Sequence, residues 1–208
     1  LILARSITAD PFEALSQQLL GRVAHRRGAP AADAMLRDAI RYALRLKLLE
    51  GLVPAVTDHV DGLVARGEAG QAVEAVDEVL ELGHGLGPTG AWVAMIRSEL
   101  HRRAGDPSRA LADLEGAELT GGARSAPLAR LARAALLSEL GASPEDTTKL
   151  AAPAGGIEDP WARVHRARLA LAAGEVGRVT KLLAPVRFGP QQTMLREAVE
   201  RLRRYTPL

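Results

Sequence analysis

The sequence predicts an all-α fold, an α-solenoid of about five helix–turn–helix units with a C-terminal capping helix. Apolar residues recur at intervals of three and four in segments such as 31–49, 91–104 and 126–140, as expected for amphipathic helices. No stretch combines alternating polarity with β-branched or aromatic residues, so we expect no strands. Short turns that contain glycine return at a nearly constant spacing, which indicates that the helices are arranged in repeats.

Five glycines mark the predicted turns within the repeated units. They are Gly28, Gly67, Gly105, Gly141 and Gly174, separated by 39, 38, 36 and 33 residues, and these steps fit helical-repeat solenoids. The residue seven positions before each glycine is Gly, Ser or Ala in four of the five units, so paired helices should approach closely. Trp92 and Trp161 both stand thirteen residues before a turn glycine. We expect the tryptophans to pack between repeats rather than to stack on a ligand.

Several helices have recognisable start signals. Asp10, Asp106, Ser143 and Asp159 each precede a proline. An Asp or Ser side chain is a preferred N-cap, and proline is favoured at the first helical position. We therefore predict that a helix begins at each of these four places.

The turns also resemble those of a known repeat family. Ala65-Arg66-Gly67-Glu68, Arg103-Ala104-Gly105-Asp106 and Ala172-Ala173-Gly174-Glu175 are similar to the turn of the tetratricopeptide repeat (TPR), over roughly residues 55–185. The unit at Gly141 departs from the family, since Asp146 stands where an alanine belongs. The resemblance implies a right-handed superhelix with a concave inner surface. We expect a single TPR-like domain over 1–208, with units at roughly 9–52, 54–86, 90–121, 125–154 and 159–186 and a closing helix at 190–204.

Composition limits the classes of function. The 208 residues carry a formal charge of +2, which is too small to predict long-range attraction to nucleic acid or to a membrane. Cysteine is absent, which excludes disulfides and thiolate chemistry. No apolar run approaches the roughly 20 residues of a membrane-spanning helix.

The chain begins at Leu1, so we expect a fragment or a processed product. Three lysines against 24 arginines, with abundant Ala, Gly and Leu, suggest a high-GC bacterial, cytoplasmic protein.

Catalytic and metal-binding patterns are weak. Glu81 and His84 form one isolated E-x-x-H pattern, and a di-iron bundle needs two such pairs with further glutamates. Asp58, His59 and Asp61 are interpreted as a solvated helix face. No serine lies in a G-x-S-x-G turn, and no glycine-rich segment has the lysine of a phosphate loop. We therefore predict a protein that is not an enzyme and that has no metal site or cofactor.

Arginines form the most specific polar pattern. Arg97, Arg133 and Arg166 stand eight residues before turn glycines, and Arg130 and Arg163 stand eleven before. In stacked repeats these side chains would form a ladder along one surface. One interpretation is a docking strip for an acidic peptide, a phosphate or a nucleic acid. The other is that each arginine pairs with a glutamate on a neighbouring helix, or that the ladder faces bulk solvent.

The resemblance implies a non-catalytic protein–protein interaction module that binds a protein or peptide partner, with an acidic partner as one option. It also suggests the signal-receiving region of a large bacterial transcriptional regulator. An alternative is a small-molecule sensor that encloses a ligand inside the superhelix, in an apolar cavity with Trp92, Trp161 and the arginine ladder. A third hypothesis, which the low charge disfavours, is direct binding of nucleic acid. Binding to a membrane is not expected.

Overall fold

A computed structural model describes residues 11–49, 51–83, 85–189 and 192–206. These ranges contain eleven α-helices, a short 3-10 turn at Ala152–Ala154 and no strand, so the all-α prediction is confirmed. The helices are α1 Pro11–Arg26, α2 Ala32–Arg45, α3 Leu52–Ala65, α4 Ala69–Leu82, α5 Pro88–Arg103, α6 Pro107–Thr120, α7 Ser125–Glu139, α8 Pro144–Ala151, α9 Pro160–Ala172, α10 Val176–Leu183 and α11 Thr193–Arg203. None of them has both the length and the apolar character that a membrane crossing needs.

The first ten helices form five antiparallel pairs that stack as a solenoid. In each pair, from α1–α2 to α9–α10, the two helices pack against each other. Successive pairs also meet through their first helices, so that α1, α3, α5, α7 and α9 follow one another along one side. The exact unit boundaries and the single domain over 1–208 stay predictions.

The five turn glycines end the first helix of each pair in the same way. Each has a positive φ, between 66° and 90°, which is the left-handed conformation that favours glycine. In every case the next residue donates its N–H to the carbonyl four residues before the glycine, at 2.8 or 2.9 Å. A repeated backbone requirement therefore explains the glycine spacing in the sequence.

The small residues seven positions before the turns lie between paired helices. At Gly21, an added Cβ would come within 3.1 Å of Cδ2 of Leu36 on α2. The Ser98 hydroxyl donates to the carbonyl of Ala110 at 3.0 Å, which joins α5 to α6. Ala134 and Ala167 are fully buried. Close approach of the two helices leaves no room for a large side chain at this position.

Three of the four predicted N-caps are confirmed. The side chains of Asp106, Ser143 and Asp159 accept a hydrogen bond from a backbone N–H in the first turn of α6, α8 and α9. Asp10 lies outside the described residues. These bonds satisfy amide groups that have no partner within the helix.

Helix α11 closes the array on itself. It packs on α9 and α10, as a capping helix should, and it also contacts α3, four pairs earlier in the stack. Its apolar side chains, including Met194 and Leu202, are buried, while Glu200 and Arg201 face solvent. Helices α3, α5, α7, α9 and α11 thus form a closed circle of neighbours, which we call the inner ring. The sequence predicted the helix but not its return to α3.

Candidate binding site in the inner ring

The inner ring surrounds a cavity of about 310 Å³. This volume lies at the small end of the range for ligand pockets, about 300–1,000 Å³. Apolar side chains from every helix of the ring line it, among them Trp92, Met95, Leu128, Trp161 and Met194. The charged or titratable residues of the lining are Asp61, Glu99, Arg102, Asp159, His165 and Arg168. The cavity therefore has apolar walls with a few concentrated polar groups.

The lining follows the repeat. Trp92 and Trp161 stand thirteen residues before their turn glycines, His165 stands nine before, and Glu99 and Arg168 stand six before. These offsets lie on one face of an α-helix. The first helices of the second to fifth pairs, α3, α5, α7 and α9, therefore turn the same face toward the cavity. Charged residues at the six-before position are the signal in the sequence that would have located this site.

Glu99 is the centre of a buried ion-pair cluster. Its carboxylate is 8% exposed and accepts hydrogen bonds from Arg102 at 2.9 Å, from Arg103 at 3.1 Å and from Arg168 at 3.1 Å. Arg168 and Arg102 also pair with Glu139, at 3.5 and 3.4 Å. Burial alone would raise the pKa of Glu99, but Arg168 and Arg102 outweigh it and hold that pKa well below its usual range. The cluster joins α5, α7 and α9 across the ring.

His165 lies beside this cluster as a neutral group. Burial, with Arg168 nearby, lowers the pKa of His165 to about 3. The Nη1 atom of Arg168 is 3.4 Å from Nδ1 of His165. Because arginine only donates, Nδ1 accepts and the imidazole proton belongs on Nε2. The ring also lies against Trp161, with centroids 5.9 Å apart and the two planes tilted by 31°. His165 therefore contributes a neutral N–H to the lining.

Asp61 is the second buried carboxylate of the ring. It is 2% exposed, and its Oδ1 accepts the backbone N–H of Met194 at 2.9 Å, at the start of α11. Among the described residues it has no ion pair. Burial raises the pKa of Asp61 to about 7, although the hydrogen bond from Met194 opposes this shift. Asp61 thus holds the start of α11, and among the described residues no ion pair compensates its carboxylate.

The predicted solvated face of α3 is wrong for two of its three residues. His59 is 4% exposed and Asp61 is 2% exposed. Helix α3 contacts α1, α2, α4, α5 and α11, so little of its surface faces solvent. Burial also lowers the pKa of His59, although Asp33 opposes this shift. Asp58 pairs with Arg22 on α1, at 2.8 Å.

Arg103 ties α5 to α11. Its Nη1 donates to Glu197 at 2.6 Å, and its Nη2 donates to the carbonyl of Met194 at 2.5 Å. Its Nε donates to Glu99 at the same time. The side chain therefore connects the buried cluster to the closing helix.

The five arginines of the predicted ladder contact neighbouring elements and do not line the cavity. Arg97 donates to Asp113 at 2.6 Å and to Asp77 at 2.7 Å. Arg130 and Arg133 share Glu118, at 2.6 and 2.9 Å, and Arg163 pairs with Glu158. Arg166 donates to the carbonyls of Ala154 and Gly155, at 2.6 and 3.2 Å.

Helical geometry explains where the ladder lies. Positions eight and six before a turn glycine are about 160° apart around the helix, because each residue adds about 100°. The ladder therefore faces away from the inner ring. Arg97, Arg133 and Arg166 each link the first helix of a pair to the end of the preceding pair. A role for Arg97, Arg130, Arg133, Arg163 and Arg166 in partner binding stays a prediction.

A metal site is not apparent in the described part of the chain, where no three His, Cys, Asp or Glu residues converge to hold an ion. The E-x-x-H pattern remains open because His84 lies outside the described residues.

Comparison with known proteins supports the architecture. No family model matches the sequence, and no curated protein matches it. The chain is similar to a crystal structure of nearly identical TPR-like repeats assigned to a kinesin light chain of Podosopora anserina. The TM-score is 0.53 at 17% sequence identity, and the match covers 95% of this chain and 100% of the other. The two chains therefore share a fold, that of TPR-like helical repeats.

Proposed function

We propose that the chain is a non-catalytic TPR-like scaffold that binds an amphipathic helix from a protein partner on α3, α9 and α10, in place of α11. The observation that carries the proposal is α11 itself. Its apolar face packs against α3, α9 and α10, and its polar groups are held by Asp61 and Arg103. The inner surface of the solenoid is thus complementary to a helix, which is a recurring mode of peptide recognition.

The contacts of α11 define the chemistry of such a partner. A partner helix would need apolar residues at the spacing of Met194, Ala198 and Leu202, which are buried in α11. It would carry an acidic residue opposite Arg103, as Glu197 does. Its N-terminus would lie near Asp61, where a carboxylate favours the positive end of the helix dipole. The predicted acidic partner fits this pattern.

A competition experiment with the full chain tests the proposal. Glu197→Arg breaks the ion pair with Arg103 in the chain's own α11, and a labelled peptide of residues 192–206 retains the glutamate. We expect the peptide to bind the variant at least fivefold more tightly than the wild type, as measured by fluorescence anisotropy.

Glu200→Arg is the matched control, because it makes the same change of charge on the solvent-exposed side of α11. The proposal is wrong if the two variants bind the peptide equally, or if a scrambled peptide binds as well as the native one.

A second candidate function, a small-molecule sensor, is favoured by the cavity. Trp161 packs against two apolar clusters, as expected for inter-repeat packing, and both tryptophans also line the cavity. A pocket with mainly apolar walls and few polar groups is typical of small-ligand sites. Either function suits the signal-receiving region of a bacterial cytoplasmic regulator. That context is part of the proposal and rests on the arginine-rich, lysine-poor composition and on the TPR resemblance.

A further inference from the structure

We propose that the cavity of the inner ring binds an organic cation, an amine or quaternary ammonium on an apolar, ring-containing body. The cationic group would pair with Asp61, and the body would lie against Trp92 and Trp161. This inference rests on the sensor function and names the chemical class of its ligand.

The first argument for a cationic ligand is the balance of charge in the cavity lining. Arg102 and Arg168 are already engaged by Glu99 and Glu139. Asp159 accepts the N–H of Trp161 at the start of α9. Asp61 forms no ion pair with a described residue, although the charge of Arg103 acts on it weakly, and its Oδ2 makes no hydrogen bond with the described residues. A cation is therefore the charge that the lining lacks.

The alternatives are less favourable for physical reasons. At pH 8, where Asp61 is mostly ionised, a neutral ligand would leave its carboxylate buried without an ion pair, which is costly. An anion would add a like charge, and the arginines of the lining already have partners. The neutral state of His165 removes another possible cation from the site. A cationic ligand compensates Asp61, and the repulsion from Arg102 and Arg168 is offset by their partners Glu99 and Glu139.

The apolar lining suits the rest of such a molecule. Trp92 and Trp161 lie on α5 and α9 at equivalent repeat positions, and Met95 and Met194 join them in the lining. The face of a tryptophan attracts a nearby cation, and it does so more strongly when water is excluded. Methionine side chains adapt to the outline of an aromatic or aliphatic body.

Three probes of similar size and different charge test the proposal at pH 8, where Asp61 is mostly ionised. They are benzyltrimethylammonium, its neutral carbon isostere neopentylbenzene, and the anion 3-phenylpropionate. The protein contains two tryptophans and both line the cavity, so intrinsic fluorescence reports binding directly. We expect the cation to bind at least tenfold more tightly than the isostere, and the anion to bind most weakly.

The variant Asp61→Asn tests whether Asp61 is the group that causes the preference for the cation. Asparagine retains an oxygen that accepts the N–H of Met194, so α11 should stay in place while the charge is lost. We expect this variant to lose most of the preference for the cation. Asp38→Asn, on the exposed side of α2, should keep it.

The outcomes separate this inference from the function on which it rests. Equal affinity for cation and isostere, or an unchanged preference in Asp61→Asn, overturns the cation assignment and leaves the sensor function standing. If none of the three probes binds, both fail. Helix docking is tested independently by the peptide of residues 192–206.

Discussion

Two sides of the inner ring treat a buried carboxylate in opposite ways. Glu99 on α5 and Asp61 on α3 stand at the same repeat position, six residues before a turn glycine. Arg102, Arg103 and Arg168 surround Glu99, and its pKa lies well below the usual range. Asp61 accepts one backbone N–H and forms no ion pair with a described residue, and burial raises its pKa to about 7.

The comparison shows that the repeat position determines the direction of a side chain. The residues around that side chain determine its charge state and its contacts. On the α5–α9 side, the carboxylate holds three helices together. On the α3 side, the carboxylate holds the start of α11 and remains open to a cationic partner. Changing each carboxylate in turn separates these roles.

The largest effect is expected on the α5–α9 side. Glu99→Gln leaves Arg168, which is 6% exposed, without its central counter-charge. Breaking a buried ion pair in this way costs about 3–5 kcal/mol in the free energy of unfolding. Urea denaturation followed by circular dichroism measures the loss. Glu200→Gln on the exposed face of α11 is the control and should change stability by less than about 0.5 kcal/mol. Similar effects of the two substitutions would contradict a stabilising role for the cluster.

A pH-dependent effect of intermediate size is expected on the α3 side. The folded-state pKa of Asp61 is about 7 and its ordinary value is 3.8. Between these values the folded state binds more protons than the unfolded state, so the contribution of Asp61 to stability falls as pH rises. Relative to wild type, Asp61→Asn should therefore gain about 2–3 kcal/mol in unfolding free energy between pH 5 and pH 8.

Urea titrations of both proteins at several pH values measure this difference. Taking the difference between the two proteins cancels His165, whose lowered pKa makes its own contribution rise with pH over about 3 to 6.5. A difference that is constant with pH would show that Asp61 is ionised at every pH tested.

The smallest effect is expected next to α3, at Gln18 on α1. This side chain is 2% exposed, and neither its Nε2 nor its Oε1 has a partner in the described part of the chain. Gln18→Met keeps the shape and removes two unsatisfied polar atoms, so we expect a gain of about 1–2 kcal/mol. Thermal unfolding measures the gain. Gln17→Met, at a neighbouring half-buried position whose amide already donates to Glu13 at 3.5 Å, should give none. Destabilisation by Gln18→Met would mean that a bound water satisfies the amide.

Local signals predicted the fold well. The turn glycines and the N-caps Asp106, Ser143 and Asp159 depend on backbone geometry within a few residues, so the sequence contains all the information required. Contacts between distant segments were missed, because signals that extend over only a few residues do not show which distant side chains meet in the fold. Asp61 meets Met194 across 133 positions, and Arg168 meets Glu99 across 69. The ladder gave no local sign of its partners, since Arg97 pairs with Asp113 and Asp77 on other helices.

Because α11 contacts α3, the ring closes only when a fixed number of helix pairs lies between them. An open stack of helical repeats gains or loses a unit at little cost, and its ends unfold before its middle. In this chain the last helix must arrive opposite the third, so an added or missing pair would carry Met194 away from Asp61. Evolution by duplication of single units between α3 and α11 is thereby restricted, and we expect the second pair and the closing helix to gain or lose their structure together.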